Sequence, residues 1–113
     1  MNSETEFMIR EEKEGSESVC LYVQGDLDAD TSSRLKRVMS SCFSSDLQRV
    51  QVVLDDVPRM DSSGVATLVE GLRWSRASGN SFVLSGLNNS IHDLFVLAKL
   101  ENEFEIVSGS VKQ

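Results

Sequence analysis

The chain has 113 residues, a length that fits one ordinary domain with one hydrophobic core. Hydrophobic residues make up 40% of it and charged residues 26%, which is typical of a folded globular protein and argues against disorder throughout. Eighteen acidic residues against 11 basic ones give a net charge of −7, which disfavours sequence-independent binding to nucleic acids and to anionic membrane surfaces.

The sequence predicts neither a membrane-inserted segment nor a secretory signal. Its longest unbroken apolar run extends only from Leu94 to Ala98, whereas a helix needs about 20 apolar residues to cross a bilayer. The N-terminus begins with Met-Asn-Ser-Glu, and no apolar stretch follows it. We therefore expect a cytoplasmic protein.

The N-terminal part of the chain predicts two strands joined by a turn. Phe7 and Ile9 indicate a short edge strand, while the glutamate run that extends before this strand indicates a solvated tail. Residues 18–24 are rich in β-branched and aromatic side chains and predict a strand that ends at Gly25. Gly15-Ser16, between the two runs, predicts a hairpin turn.

A helix and a buried strand follow. Asp30-Thr31 offers an N-cap for the helix. The apolar residues after this cap share one face of a 3.6-residue helix, and they are Leu35, Val38, Met39, Cys42 and Phe43. Val50 to Leu54 then predicts a short buried strand that ends at Asp55-Asp56.

Two further helix–strand units complete the pattern. A second helix begins near Asp61 and ends at Gly79, which suits a left-handed C-cap. Its apolar face consists of Val65, Leu68, Val69 and Leu72. Residues 82–84 predict a strand, residues 88–90 cap a third helix, and residues 104–107 predict the last strand. The apolar face of the third helix consists of Ile91, Leu94, Phe95 and Ala98.

The predicted element order is β-β-α-β-α-β-α-β. Strands that alternate with helices indicate an α/β domain with parallel pairing and right-handed crossovers, and the first hairpin adds antiparallel pairing. We therefore expect one domain over residues 1–113, with a mixed, mostly parallel sheet packed against amphipathic helices. Its core is expected at about 7–107, and residues 1–6 and 108–113 are expected to be frayed.

The most informative segment is residues 59–65, which joins a buried strand to an amphipathic helix. Asp61 or Ser62 can supply the oxygen that caps this helix, and Gly64 has no Cβ to block a close approach by another backbone. The amides at such a helix start also tolerate a phosphate group. These residues alone fit either a simple cap or a functional site.

A second polar loop, residues 25–31, also runs from a strand into a helix. Because the carboxyl ends of parallel strands meet at one edge of the sheet, we expect the two loops to lie side by side where ligands of such sheets bind. Asp26, Asp28 and Asp30 fit either a solvated turn or a cation site, although the spacing does not continue to the glutamate of an EF-hand.

The remaining reactive side chains predict no catalytic residue, metal or cofactor. Cys20 and Cys42 are expected to be free, buried thiols, because the sequence lacks a CxxC pair and a second ligand cluster. His92 is expected at the surface or at a helix start. Trp74 lies off the apolar stripe of its helix, where it either anchors a partner or is partly buried against the third helix.

Several segments together resemble the STAS domain family, and within it the bacterial anti-sigma factor antagonists. They are Gly25–Thr31, the buried Val-Val-Leu-Asp run, Met60–Val65, Gly86-Leu87, Leu94–Leu100 and Phe104–Ile106. The resemblance extends from about residue 7 to 107. Asp-Ser-Ser-Gly combined with an upstream Gly-Asp-Leu-Asp is a fairly specific signal.

The resemblance implies a phosphorylation-controlled switch and not an enzyme. In such proteins the first serine of Asp-Ser-Ser-Gly, here Ser62, is phosphorylated by an anti-sigma factor that is also a serine kinase. A PP2C-type phosphatase reverses the modification, and the unmodified form binds the anti-sigma factor and frees a sigma factor. Asp28 matches an acidic residue near the kinase contact, and Ser63 is expected to be a capping group. The partner-binding residues implied are Asp28, Thr31, Asp61, Ser62, Ser63 and Gly64.

Other roles of STAS domains stay open. The alternative is an accessory subunit of a phospholipid-transport ABC system that binds the ATPase, in which Ser62 would be an interface contact without phosphorylation. A third alternative is an orphan regulator in a stressosome-like, secretion or chemosensory assembly. The sequence makes no prediction of oligomeric state.

Overall fold

The computed structural model describes residues 6–107, which form one five-stranded sheet and three helices. The elements are β1 Met8–Glu14, β2 Ser18–Gln24, α1 Ala29–Phe43, β3 Arg49–Asp56, α2 Ser62–Ser78, β4 Ser81–Ser85, α3 Asn89–Leu97 and β5 Glu105–Val107. The predicted element order and the single α/β domain are confirmed. The predicted frayed ends, 1–6 and 108–113, lie outside the described residues except for Glu6.

The strands lie in the sheet in the order in which they occur along the chain. β1 pairs antiparallel with β2, and every later pair is parallel, so the predicted mixed sheet is confirmed. Since each crossover leads to the adjacent strand and such crossovers are right-handed, all three helices lie on the same face of the sheet.

The hydrophobic core fills the space between that face and the helices. On β3 the alternation is regular, because Val50, Val52 and Leu54 are fully buried while the residues between them are half-buried. The helices contribute the fully buried side chains of Leu35, Met39, Leu68, Ile91 and Phe95. Phe104, just before β5, closes the far end of the core against the Phe95 ring, with 5.3 Å between ring centroids.

The first strand differs in extent from the predicted edge strand at Phe7 and Ile9, because it begins at Met8 and includes the glutamates that follow Ile9. Glu11, Glu12 and Glu14 pair across β1 with Leu21, Cys20 and Ser18 of β2. Gly15 adopts a positive φ of 75° in the turn, and this turn sets the register of the hairpin. Pairing with β2 thus overrides the low strand propensity of glutamate, and the charges of this edge strand discourage pairing with further chains.

Two predicted helix ends need correction. The N-cap of α1 is Asp28 and not Asp30-Thr31, because the carboxylate of Asp28 accepts hydrogen bonds from the amides of both residues. Ala98 is the exposed C-cap of α3 and does not belong to its buried face. The left-handed C-cap of α2 at Gly79, with φ 77°, is confirmed.

Trp74 is half-buried, but it does not pack against the third helix as one of the two predictions held. Its ring lies 6.2 Å from that of Phe43 at the end of α1. The α2 helix packs closely at Gly71, where an added Cβ would lie 2.7 Å from Phe82 Cζ of β4 and 3.0 Å from Met39 Sδ of α1. The strand order makes α1 and α2 neighbours, and for this reason Trp74 contacts α1.

The cysteines are free and buried, as predicted. Burial raises the pKa of the Cys42 thiol to about 11 and also raises the pKa of Cys20. Both thiols are therefore protonated at neutral pH and are poor nucleophiles. His92 is exposed in the first turns of α3, as predicted. Within residues 6–107, no helix has the length and apolar character needed to cross a membrane.

Candidate functional site

The loop from β2 to α1 is held by a dense set of local hydrogen bonds. The carboxylate of Asp28 accepts from the amides of Asp30 and Thr31, both at 3.1 Å. The Thr31 hydroxyl accepts from the Asp28 amide at 3.0 Å and donates to the Asp26 carbonyl at 2.7 Å. This reciprocal arrangement is a capping box. Thr31 is therefore half-buried and largely structural, while Asp28 remains exposed.

The loop from β3 to α2 presents Ser62 at the surface. Asp61 is the N-cap of α2, and its carboxylate accepts from the amides of Ser63 at 2.8 Å and Gly64 at 3.3 Å. Ser62 is the first residue of the helix and is exposed. Its hydroxyl makes no hydrogen bond to any of residues 6–107. The residue before the loop's cap, Met60, is buried and anchors it to the core.

These two loops are joined along their backbones. Leu27 and Met60 form an isolated parallel β-bridge. The amide of Leu27 donates to the Arg59 carbonyl at 3.0 Å, and the amide of Asp61 donates to the Leu27 carbonyl at 3.1 Å. The bridge lies immediately before both N-caps, so it fixes Asp28 and Asp61 beside each other, as the sheet-edge argument predicted.

Gly64 allows this close approach. It is buried under both loops, where an added Cβ would lie 2.5 Å from Met60 Cγ and 3.0 Å from Leu27 Cβ. Ser63 is half-buried, and its hydroxyl caps nothing, since the caps are supplied by Asp61. The prediction that the Ser63 side chain is a capping group is therefore wrong; the carboxylate one residue before Ser62 already occupies the amides.

We define the rim as residues 25–31, 55–62 and 86–90, which lie at the carboxyl ends of β2, β3 and β4. It carries a single basic residue, Arg59, against six aspartates, which are Asp26, Asp28, Asp30, Asp55, Asp56 and Asp61. An open cleft of about 460 Å³ between the first two segments is lined by residues that include Asp26, Asp28 and Arg59. The rim is thus a strongly acidic surface.

The rim aspartates do not assemble into a cation site. In the described part of the chain, no group of three or more histidine, cysteine or acidic side chains has the geometry to hold a metal ion. The carboxylate of Asp28 is directed at backbone amides, and that of Asp26 lies 3.3 Å from the Arg59 guanidinium. The solvated-turn interpretation of this acidic run therefore fits the structure better than the cation site.

The cap formed by Asp28 makes stability depend on pH. The hydrogen bonds that its carboxylate accepts, first from the Thr31 amide and then from the Thr31 hydroxyl, hold the pKa of Asp28 below its ordinary value of 3.8. A lowered pKa in the folded state stabilises the protein above the unfolded pKa, and this stabilisation is lost as the pH falls through the folded value.

We accordingly expect Asp28→Ala to lower the urea midpoint of unfolding at pH 7, because α1 loses its N-cap. The difference from wild type should shrink as the pH falls below 3.8. Urea titrations between pH 2 and pH 7 measure this change. Asp93→Ala, at an exposed position within α3, is the matched control and should show no such narrowing. A difference between Asp28→Ala and wild type that is constant over this range would contradict the assignment of the cap.

Most residues of the rim were predicted from the sequence, but one contact between them was not. The ion pair between Arg59 Nη2 and Asp26 Oδ2, at 3.3 Å, links the two loops across 33 positions of sequence. Both residues lie within the motif segments, yet their separation gave no indication that they meet. The one indication of this contact in the sequence is the positive charge of Arg59, which is the single basic residue of an acidic surface.

Comparison with known proteins shows what the chain is similar to. The model of the STAS domain matches residues 10–112. The anti-sigma-B factor antagonist of Listeria monocytogenes is 25% identical over 91 residues, which cover 80% of each chain.

Two solved structures have the same fold. One is the anti-sigma factor antagonist SpoIIAA in its unphosphorylated form, with a TM-score of 0.78 and 17% identity; the match covers 91% of this chain and 89% of that one. The other is the Bacillus cell fate determinant SpoIIAA in its phosphorylated form, with a TM-score of 0.75 and 17% identity; the match covers 91% of this chain and 92% of that one. At this identity, the likeness establishes the fold.

Proposed function

Because the chain belongs to the STAS domain family, as its sequence motifs indicated, we propose that it is an anti-sigma factor antagonist that acts by partner switching. In its unphosphorylated form it binds an anti-sigma factor with serine kinase activity, and the sigma factor held by that partner is released. The protein acts in the cytoplasm, needs no cofactor and catalyses no reaction itself. The named anti-sigma factor antagonists among its relatives support this assignment.

The observation that carries the proposal is the position of Ser62. Its hydroxyl is exposed, is free of intramolecular hydrogen bonds within residues 6–107, and stands on the acidic rim beside Asp61. A kinase can therefore reach it without unfolding the domain. Transfer of the γ-phosphoryl group of ATP forms the bond from Ser62 Oγ to phosphorus, breaks the bond to the ADP oxygen and releases the hydroxyl proton. Hydrolysis by a PP2C-type phosphatase restores serine and releases phosphate.

The fold should tolerate the modified residue. Phosphate adds a charge of about −1.5 to −2 at neutral pH, and the positive end of the α2 dipole lies at the same position. That the phosphorylated and unphosphorylated forms of SpoIIAA both have the fold of this chain is in keeping with a local effect. The consequence of phosphorylation then falls on the partner, because a dianion beside Asp28 and Asp61 changes the charge pattern of the contact surface.

The test compares four purified proteins: wild type, Ser62→Ala, Ser62→Asp and Ser63→Ala. Each is used to capture partners from the native lysate, and the captured protein is identified by mass spectrometry, purified and assayed with ATP. We expect the partner to be an ATP-binding anti-sigma factor that phosphorylates wild type and Ser63→Ala but not Ser62→Ala. Ser62→Asp should bind it at least about tenfold more weakly, because the added carboxylate changes the charge pattern of the contact surface. A tenfold change in affinity corresponds to about 1.4 kcal/mol.

The thermal midpoint of each variant serves as the control for folding. If Ser62→Asp loses both its folded state and its binding, its binding result says nothing about the proposal. The phosphorylation assay with Ser62→Ala then decides whether Ser62 is the phosphorylated residue. Capture of a transport ATPase equally by wild type and Ser62→Asp would contradict the proposal and favour the accessory-subunit alternative.

A further inference from the structure

Arg59 is the single basic residue of the rim, which carries six aspartates. It precedes Ser62 by three residues, and its guanidinium contacts Asp26 of the other loop. Asp28 and Asp61, the two caps, add further negative charge on either side. Any new anion placed at Ser62 therefore meets one cation and three carboxylates, and the position of that cation decides the local charge pattern.

The existing ion pair is weak enough to be exchanged. It consists of a single Nη2–Oδ2 contact at 3.3 Å, and the Arg59 side chain is 81% exposed while that of Asp26 is 39% exposed. Exposed pairs of this kind contribute little to stability, because water screens them and the side chains lose rotamer freedom. Neither residue is needed to hold the loops together, since the bridge between Leu27 and Met60 does so through the backbone.

A phosphate on Ser62 would be a stronger acceptor within reach. Three residues of chain can separate the Cα atoms of Arg59 and Ser62 by at most about 11 Å, both residues are exposed, and arginine has a long side chain. A phosphate dianion offers three oxygens to the guanidinium fork, which favours two parallel charge-assisted hydrogen bonds over one contact to a carboxylate.

We propose that Arg59 leaves Asp26 and pairs with the phosphate when Ser62 is phosphorylated, an exchange that rests on the function proposed above. Its consequence reaches beyond the modified loop. Asp26 loses its cation, so the β2–α1 loop that carries Asp28 becomes more acidic at the same time as the β3–α2 loop receives the dianion. Phosphorylation thereby alters both segments of the partner-facing surface while the backbone bridge stays in place.

The experiment reads the phosphate directly. Phosphoserine is installed at position 62 during translation, and the second pKa of the phosphate is measured by ³¹P NMR as a function of pH. A nearby cation lowers this pKa from its usual value near ~6, whereas Asp26, Asp28 and Asp61 raise it. We expect Arg59→Gln to raise the phosphate pKa by about half a unit or more relative to the otherwise wild-type phosphoprotein.

Two matched variants complete the design. Arg73→Gln removes the same charge from an exposed arginine of α2 that pairs with Glu70, and it should leave the phosphate pKa unchanged. Asp26→Asn removes the competing carboxylate and should leave the phosphate pKa at or below that of the reference. An equal phosphate pKa with and without Arg59, or an equal shift from Arg73→Gln, would overturn the exchange.

The outcome separates this inference from the proposed function. Because phosphoserine is installed during translation, the measurement needs no kinase. A shift on Arg59→Gln together with failure of every captured partner to phosphorylate Ser62 would defeat the proposed function and leave the electrostatic pairing intact. Phosphorylation of Ser62 by a captured partner without any shift on Arg59→Gln would defeat the exchange alone.

Discussion

Replacing Phe95 by alanine is expected to lower the free energy of unfolding by about 3–5 kcal/mol. The ring is fully buried on α3 and packs edge-on against Phe104, with 5.3 Å between ring centroids. Its removal takes apolar surface out of the core and leaves a cavity between the helix and β5, which cannot close without moving both. Since a domain of this size is stable by about 5–15 kcal/mol, the variant should lose a large fraction of its stability.

Urea unfolding followed by circular dichroism measures this loss. Leu97→Ala is the matched control, because Leu97 lies two residues further along the same helix with 80% of its surface exposed. The control should change the free energy of unfolding by no more than about 0.5 kcal/mol. Similar losses in both variants would mean that α3 is held by its own helix propensity and not by the buried ring.

The alternation of strands and helices was predictable because it follows from local periodicity. The buried residues of each helix recur at the 3.6-residue period, and the mostly apolar strand β3 ends at Asp55-Asp56. Neighbouring parallel strands with one helix between them leave few topologies, so the sheet order follows from the right-handed crossover rule. The fold therefore depends on features that a single sequence displays openly.

The errors have a common physical cause, which is pairing of a segment with another part of the chain. Asp28 and Asp30 are equally good capping residues by type. Asp28 is chosen because the bridge from Leu27 to Met60 fixes the backbone just before it, and this bridge joins loops separated by a whole helix and strand. Glu11 and Glu12 lie in a strand for the same kind of reason, since β2 supplies the hydrogen-bonding partner.

The residues of the candidate site were predictable from the sequence, but the hydrogen bonds between them were not. The motif places Asp61, Ser62 and Gly64 at a helix start, and the structure has them there. The functions of neighbouring hydroxyls were not predictable, because Thr31 completes a capping box while Ser63 caps nothing. Only the three-dimensional arrangement distinguishes these two residues, which look alike as small polar groups in a helix's first turn.

The second large effect is expected at Gly64, where stability and partner binding should fall together. Alanine is a better helix former than glycine by about 1 kcal/mol, which alone would stabilise α2. Against this gain, the added Cβ would lie 2.5 Å from Met60 Cγ and 3.0 Å from Leu27 Cβ. Met60 Cγ belongs to a buried side chain and lies near its backbone, and Leu27 Cβ is fixed to the backbone of the bridge, so neither neighbour yields easily. We therefore expect Gly64→Ala to cost about 1–2 kcal/mol net, since overpacking typically costs about 1–3 kcal/mol.

The same variant tests why the two loops must touch. Relief of the clash should push Leu27, and with it Asp28, away from the start of α2, so the captured anti-sigma partner should bind more weakly even where the variant is fully folded. Urea unfolding and a binding titration below the unfolding transition separate the two effects. Ser78→Ala, at an exposed position in the last turn of the same helix, is the control and should preserve both quantities. A Gly64→Ala protein as stable as wild type would show that Gly64 is loosely packed against Leu27 and Met60. Unchanged partner binding would show that the partner does not depend on the relative position of the two loops.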